Sequence, residues 1–276
     1  MTYGSLFAGI GGIDRGLDRA GMRCLFQVEI DDYCRKVLAK HWPDVPKYSD
    51  VTKFCRRACD CKPENEDGEV ICPRCGIEFG KCECIGTDQL IDECGIPDLL
   101  CGGFPCTDLS VCGKGEGLAG ERSGLWFEYL RIIRELLPRY VVIENSTALL
   151  VRGIEDVLRG LSQSGYDAEW QVIRASDFAL PHRRERLFIV AHSNGLHGTT
   201  RMGAEPNRTR EIFPRSLQER LPIRVQASDR FVGVDDGIPG GIYGDRGHAI
   251  GNAVVPQVAT WIGKRIVEHA IGDAGN

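Results

Sequence analysis

Short apolar runs alternate with stretches of helical period along most of the chain, the pattern of βαβ units that build a mostly parallel sheet. Tyr3 to Phe7 reads as a first strand, Cys24 to Glu29 as a second and Pro97 to Cys101 as a later one. Tyr140 to Ile143 is nearly pure β-former and predicts a central strand buried on both faces. Two more strands follow near Ala168 to Arg174 and Leu187 to Ala191. Helices are predicted over Gly12 to Ala20, Asp31 to His41, Leu125 to Leu137 and Ile154 to Ser164. In the third of these, Leu125, Tyr129, Ile132, Ile133 and Leu136 recur at helical spacing. A last helix, from about Val254 to Ala270, gathers Val255, Val258, Ala259, Ile262, Ile266 and Val267 on one side.

Two stretches break the alternation. Thr52 to Thr87 is polar and carries seven cysteines between Cys55 and Cys84, so it reads as an insertion rather than a sheet element. His192 to Arg246 has scattered Gly and Pro, many Arg and weak periodicity, which fits a small irregular subdomain. The chain therefore divides into a large domain over 1–191 with an insertion at 52–87, a small region over 192–246, and a closing helix over 247–276. A length of 276 residues, 42% of them hydrophobic, suits one large α/β domain with a small appendage.

Charge and cysteine content narrow the setting. No apolar run approaches the roughly 18 residues of a membrane span, and Met1 to Ser5 lacks the basic-then-apolar build of a signal peptide. A soluble cytoplasmic protein of a bacterial or phage-infected cell is expected, with no membrane partner. Thirteen cysteines without an export signal, crowded as they are, point to metal rather than disulfides. The net charge of -5 argues against a nucleic-acid partner on average. The distribution reverses that argument. Residues 171–230 carry eleven arginines against six acids, and the arginine fork suits phosphates and base edges.

The chemistry sits at strand ends. The first strand runs into Gly9-Ile10-Gly11-Gly12, a turn that admits a ligand to the backbone and opens a helix behind it. A dinucleotide fingerprint would want Gly where Asp14 stands, and a carboxylate there suits a cationic ligand better than a pyrophosphate. Glu29, ending the second strand, is placed to accept ribose hydroxyls. Together these features suit S-adenosylmethionine, which offers adenosine and positive charge without phosphate. Cys106 follows Gly102-Gly103-Phe104-Pro105 directly after a strand, where an open α/β sheet presents residues to its cleft. Beyond it, Gly113, Gly115, Gly117, Gly120 and Gly124 suggest a loop able to close over substrate. Glu144-Asn145 ends an apolar strand, where desolvation would raise the carboxyl pKa and make it a proton donor. Arg184 and Arg186, two apart in an extended segment, face one side.

In this order the motifs resemble the DNA cytosine-5 methyltransferase family over roughly residues 3–191 and 247–267. Phe7, Ala8, Gly9, Ile10, Gly11 and Gly12 look like its cofactor loop, Glu29 and Ile30 like its ribose acid and neighbour, and Asp50 and Val51 like the acid and apolar residue near the adenine. Pro105 and Leu125 resemble further cofactor contacts, and Asn252 with Ala253 belongs to a closing motif, Gly251 to Pro256, that completes the pocket. By resemblance Cys106 is the nucleophile, Glu144 the acid, and Arg184 and Arg186 the two catalytic arginines. Thr107, Ser146 and His182 replace residues usual in the family. The compact layout resembles phage or mobile-element members.

The resemblance implies an α/β, Rossmann-like S-adenosylmethionine-dependent methyltransferase domain with a small target-recognition subdomain. It implies methyl transfer to carbon 5 of cytosine through a covalent Cys106 adduct with a flipped-out base. Double-stranded DNA is the expected partner of an expected monomer serving restriction-modification or phage protection, with an accompanying restriction enzyme left open. The insertion adds Cys72-Pro73-Arg74-Cys75, a zinc-knuckle spacing flanked by Cys59 and Cys61 and by Cys82 and Cys84. One structural Zn on Cys72, Cys75 and one flanking pair is expected, the pair being open. Three rival classes share some of these features: a zinc deaminase, whose P-C-x-x-C pair fails because the next cysteine after Cys106 is Cys112; an inert DNA-binding module; and an RNA cytosine methyltransferase.

Overall fold

The computed structural model describes residues 1–55, 85–105, 124–181, 184–193, 211–213 and 253–274. Its frame is a seven-stranded sheet. In chain order the strands are β1 (Thr2–Leu6), β2 (Arg23–Val28), β3 (Lys47–Tyr48), β6 (Leu99–Gly102), β7 (Tyr140–Asn145), β8 (Tyr166–Arg174) and β9 (Glu185–Ser193). Across the sheet the order is β3-β2-β1-β6-β7-β9-β8. The pairings among β3, β2, β1, β6 and β7 are all parallel, while β9 runs antiparallel to both β7 and β8. Six strands therefore share one direction and β9 alone is reversed. Two further short strands, β4 (Phe54–Cys55) and β5 (Ile85–Gly86), pair parallel with each other and join the two ends of the cysteine-rich span.

The strands predicted from alternation all occur, and each is shifted by only a residue or two. The central ones are buried on both faces, as parallel strands under helices must be. Tyr3, Leu99, Cys101, Tyr140, Val142, Phe188 and Val190 enter one core, and Leu6, Leu100, Val141, Ile143, Leu187, Ile189 and Ala191 the other. Helices α1 (Gly12–Arg19) and α7 (Pro256–Ala274) cover the first face. On the opposite face lie α3 (Thr87–Cys94), α4 (Leu125–Leu136) and α6 (Ile154–Gln163), with α5 (Leu149–Arg152) leading into α6. Helix α2 (Asp32–His41) starts on an Asp31 side-chain cap to Cys34 N at 2.8 Å and has acid at its first turn and base at its last. Among the described residues no helix is long and apolar enough to cross a membrane.

Two parts of the sequence reading needed correction in detail. The closing helix begins at Pro256 rather than Val254, because proline has no N–H to donate and fits the first helical turn. Strands β3, β4 and β5 and helices α3 and α5 were not anticipated: each of these strands is two residues long and α5 four, too short for any period to register, while β4, β5 and the start of α3 at Thr87 lie in the stretch read as an insertion rather than a sheet element.

The pairing of α1 with α7 depends on small residues. A Cβ built on Gly16 would lie 2.3 Å from Ala259 Cβ and 2.6 Å from the Pro256 carbonyl oxygen. Adding that methyl gains up to about 1 kcal/mol in helix propensity, against about 1–3 kcal/mol for overpacking two close backbones. Gly16→Ala is therefore expected to lower the midpoint of thermal unfolding; an unchanged or raised midpoint in differential scanning calorimetry would refute this packing.

Candidate active site

The strand order reverses between β1 and β6, and ligands of open α/β sheets bind at such a point, outside the carboxyl ends of the strands. Four loops leave the sheet at that rim: Phe7 to Gly11 after β1, Glu29 after β2, Gly103 to Pro105 after β6, and the Glu144-Asn145 end of β7. Because β9 is reversed, its amino end with Arg184 and Arg186 reaches the same rim.

The first loop is tightly held. Phe7 adopts a left-handed φ of 52°, uncommon and costly for a bulky residue, and Gly9 and Gly11 follow at 56° and 84°. A Cβ on Gly11 would strike the Trp42 ring at 2.5 Å, so the turn rests directly on that indole. Trp42 Nε1 in turn donates to Asp18 Oδ2 at 2.7 Å, and Asp18 Oδ1 receives the Tyr3 hydroxyl at 2.8 Å. In front, Glu29 Oε2 accepts from Gly9 N at 2.6 Å and Oε1 from Asp31 N at 2.8 Å, which orients the carboxylate and leaves each oxygen a further lone pair. Ile30 beside it is 73% exposed at the rim.

Phe7 and Leu125 both pack, half-buried, against one core, and the Phe7 ring lies 6.2 Å from that of Tyr129. Asp50 caps a 3-10 turn through Thr52 N at 2.9 Å, and Val51 in that turn is buried. Ala8 N donates to the Val28 carbonyl at 3.0 Å, tying the loop to β2. Ile10 and Pro105 are half-buried. A Cβ on Gly12 would meet the Val254 carbonyl oxygen at 2.3 Å, so the closing segment with Ala253 lies against the foot of the loop. Asn252 is outside the described residues.

Asp14 has a different role from the one its sequence position suggested. It does not face the cleft: it is fully buried, receiving Ser5 Oγ at 3.1 Å and Gln27 Nε2 at 2.8 Å, under the first two strands. Burial pushes its carboxyl from 3.8 up to about 6, with the hydrogen bonds from Gln27 and Ser5 pulling the other way.

At the far side of the rim Glu144 is buried, and its Oε1 lies 3.0 Å from Arg186 Nε. Desolvation raises its pKa above the usual carboxylate value, and the charges of Arg186 and Arg184 offset part of that rise. Gly103 leaves room for the other oxygen: a Cβ there would lie 2.6 Å from Glu144 Oε2. Asn145 Nδ2 donates to the Phe104 carbonyl at 3.1 Å, and its Oδ1 accepts from Ser146 N at 2.8 Å. The loop two residues short of Cys106 is thus fastened to the end of β7, while Cys106 itself lies outside the described residues. Arg184 Nη2 donates to the Ala253 carbonyl at 2.6 Å, joining this rim to the closing segment.

Cys59, Cys61, Cys72, Cys75, Cys82 and Cys84 also lie outside the described residues. Among those described, no group of three or more His, Cys, Asp or Glu side chains is placed to hold a metal. Sequence reasoning missed Trp42, Asp18 and Tyr129. Tyr129 was assigned only a helical core position, yet its hydroxyl bonds the Leu100 carbonyl at 3.3 Å and that of Val142 at 3.0 Å, stitching β6 to β7.

A parallel sheet with one reversed strand, a glycine loop after β1 and an acid after β2 defines a methyltransferase fold. A mutant form of Spodoptera frugiperda DNMT2 shares this fold at a TM-score of 0.50, with 15% identity, covering 72% of this chain and 52% of that one. The model of the C-5 cytosine-specific DNA methylase family matches residues 1–73 and 78–227, and the chain belongs to that family. Type II methyltransferase M.BsuFI of Bacillus subtilis is 31% identical over 69% of this chain and 39% of its own length. M.DsaV of Dactylococcopsis salina is 30% identical over 69% of this chain and 45% of its own length. The chain spans less than half the length of these two relatives.

Asp14 gives a signed pH dependence. A carboxyl whose folded pKa exceeds its unfolded value adds stability that is complete below about pH 4 and is lost as pH rises through about 6. Asp14→Asn keeps an acceptor for Gln27 and gives Ser5 a donor. Its stability relative to the native chain should improve by up to about 3 kcal/mol between pH 4 and pH 8. Urea unfolding at both values checks this, and an equal difference at the two would remove Asp14 as the titrating group.

Proposed function

We propose that this chain transfers a methyl group from S-adenosylmethionine to carbon 5 of cytosine in double-stranded DNA, within a restriction-modification or phage-protection setting. The observation that carries the reading is the buried Glu144, paired with Arg186 and abutting the loop that leads to Cys106. Family membership supports it, and so does the pair of relatives named as Type II methyltransferases.

The residues at the rim fit the methyl donor. Glu29, oriented by Gly9 and Asp31, would accept the ribose hydroxyls, while exposed Ile30, Phe7 and Leu125 offer apolar surface for the adenine. Gly9 and Gly11 open the backbone, and a sulfonium meets no fixed cation on that loop. When bound, the donor supplies an electrophilic methyl group.

The remaining work falls to the chain. Carbon 5 of cytosine is a poor nucleophile until a bond forms at carbon 6. Cys106 adds there as thiolate, and the electron pair displaced from the 5,6 double bond is delocalised toward ring nitrogen 3. Glu144, its pKa raised by burial, gives a proton to that nitrogen. Arg186 and Arg184 stabilise negative charge on the oxygen of carbon 2. Carbon 5 then takes the methyl, its proton passes to water, the electron pair of that broken bond expels Cys106 as thiolate to restore the ring, and the proton on nitrogen 3 returns to Glu144. The base must leave the duplex for this, at a cost of a few kcal/mol; the handling of such enzymes is general for chemistry on a stacked base.

Residues 192–246 are proposed to read DNA, and 1–191 with 247–276 to form the catalytic domain. The insertion is proposed to hold one structural Zn on Cys72, Cys75 and a flanking pair, a reading supported by the C-x-x-C spacing and by β4 and β5 drawing its ends together.

Four measurements test these proposals. Methylation sequencing of host DNA should show 5-methylcytosine with the native chain and none with Cys106→Ser. Duplexes carrying 5-fluorocytosine in the site so found should become irreversibly attached through Cys106 when the donor is present; absence of that adduct rejects the covalent route. Glu144→Gln should lower kcat by about 10²- to 10⁴-fold with donor affinity retained. Metal analysis of the purified chain should return one Zn per molecule, and a value near zero rejects the zinc proposal.

A further inference from the structure

Away from the cleft, a three-residue segment is held by its backbone. Strand β8 is an edge of the sheet, and Glu169 within it shares a face with Ile173, the face covered by α1 and α7. Glu169 Oε1 accepts from Ile212 N at 3.0 Å and Oε2 from Phe213 N at 2.9 Å. From the other side, Arg265 of α7 donates through Nε to the Ile212 carbonyl at 2.7 Å and through Nη2 to that of Glu211 at 3.3 Å. Ile212 and Phe213 are 1% and 6% exposed, and the Phe213 ring stacks on Trp261 at 6.1 Å and 24°.

Four main-chain groups gripped by one anion and one cation fix a segment's position and its direction at once. Side-chain burial alone would fix only the position. Charge-assisted bonds to successive N–H groups are also stronger than neutral ones. The location matters as much as the grip. Glu169 pairs with Val190 of β9, four residues from Arg186 along the same strand. That is about 13 Å of extended chain between the anchor and the catalytic rim.

We infer that Glu169 and Arg265 are positioning residues that clamp Glu211-Ile212-Phe213 and so align the 192–246 span with the catalytic rim for DNA recognition. This rests on the proposal that the span reads DNA. The clamp reads no side chain, so it holds the span whatever sequence surrounds the tripeptide. It touches neither donor nor base.

The test uses the full chain with Glu169→Ala, Glu169→Gln and Arg265→Ala. DNA affinity, by fluorescence anisotropy on the duplex identified by methylation sequencing, is expected to fall at least tenfold in Glu169→Ala and Arg265→Ala. Glu169→Gln keeps one acceptor and should fall between. S-adenosylmethionine affinity by equilibrium dialysis should stay within twofold, and the loss in methylation should appear in KM for DNA rather than in kcat. The double variant should lose little more than either single one, because both act on one segment. Trypsin cleavage after Arg210 and Arg215, which flank the segment, should quicken in each variant. Native DNA affinity in Glu169→Ala, or parallel loss of donor and DNA binding, overturns the inference. A native chain that neither binds nor methylates DNA rejects the DNA-reading proposal itself, and the trypsin result then decides the anchor alone.

Discussion

The reversal of β9 is the constraint on which the site depends. Were β9 parallel like its neighbours, Arg184 and Arg186 would lie at the opposite end of the sheet from Glu144. The antiparallel register instead sets Asn145 against Leu187 and brings Arg186 Nε to 3.0 Å from Glu144 Oε1. A carboxyl this deeply buried is costly to ionise, and an adjacent guanidinium recovers part of the cost. The outcome is a group with raised pKa whose orientation is set by a strand pair rather than by a loop. Proton donors need that combination, since both protonation state and aim must be right at once.

Rigidity is supplied from behind the cleft on both sides. The glycine turn rests on Trp42, which is fixed by Asp18, and Asp18 is also bonded by the Tyr3 hydroxyl of β1. The loop after β6 hangs from Asn145, and Tyr129 bonds the carbonyls of β6 and β7 just below. The Ala253-Val254 segment links the two halves, lying against Gly12 and accepting from Arg184. Each loop that would touch a ligand is therefore positioned by a side chain or backbone group that does not. Left-handed backbone at Phe7, which would relax if free, survives because the surrounding contacts overdetermine it.

How much of this was legible beforehand follows from which interactions are local. Strands such as Tyr140 to Ile143 announce themselves by composition, and the glycine turn and Glu144-Asn145 by their place at strand ends, because these signals lie within a few residues of each other. Strand direction does not. Nothing in Glu185 to Ser193 states that it runs against its neighbours; that is decided by pairing with residues about 45 positions earlier in the chain, where Glu144 meets Phe188. Asp14 shows the opposite error. Its position in the glycine loop suggested a ligand contact, while its partners Ser5 and Gln27 sit on two strands and become visible only when those strands pair. The Glu169 anchor is less legible still, since it engages backbone groups and leaves no requirement on the residue types it holds.

The charge pattern takes on a different meaning in the light of the fold. Of the eleven arginines between residues 171 and 230, Arg174, Arg184 and Arg186 fall among the described residues, and each bonds a group of the chain itself: Glu185, the Ala253 carbonyl and Glu144. A stretch that looks uniformly suited to phosphate is thus divided, with its first part committed to building the rim. Neutralising a DNA backbone requires cations that are not already paired. For the DNA contacts proposed above, Arg174, Arg184 and Arg186 are therefore already engaged.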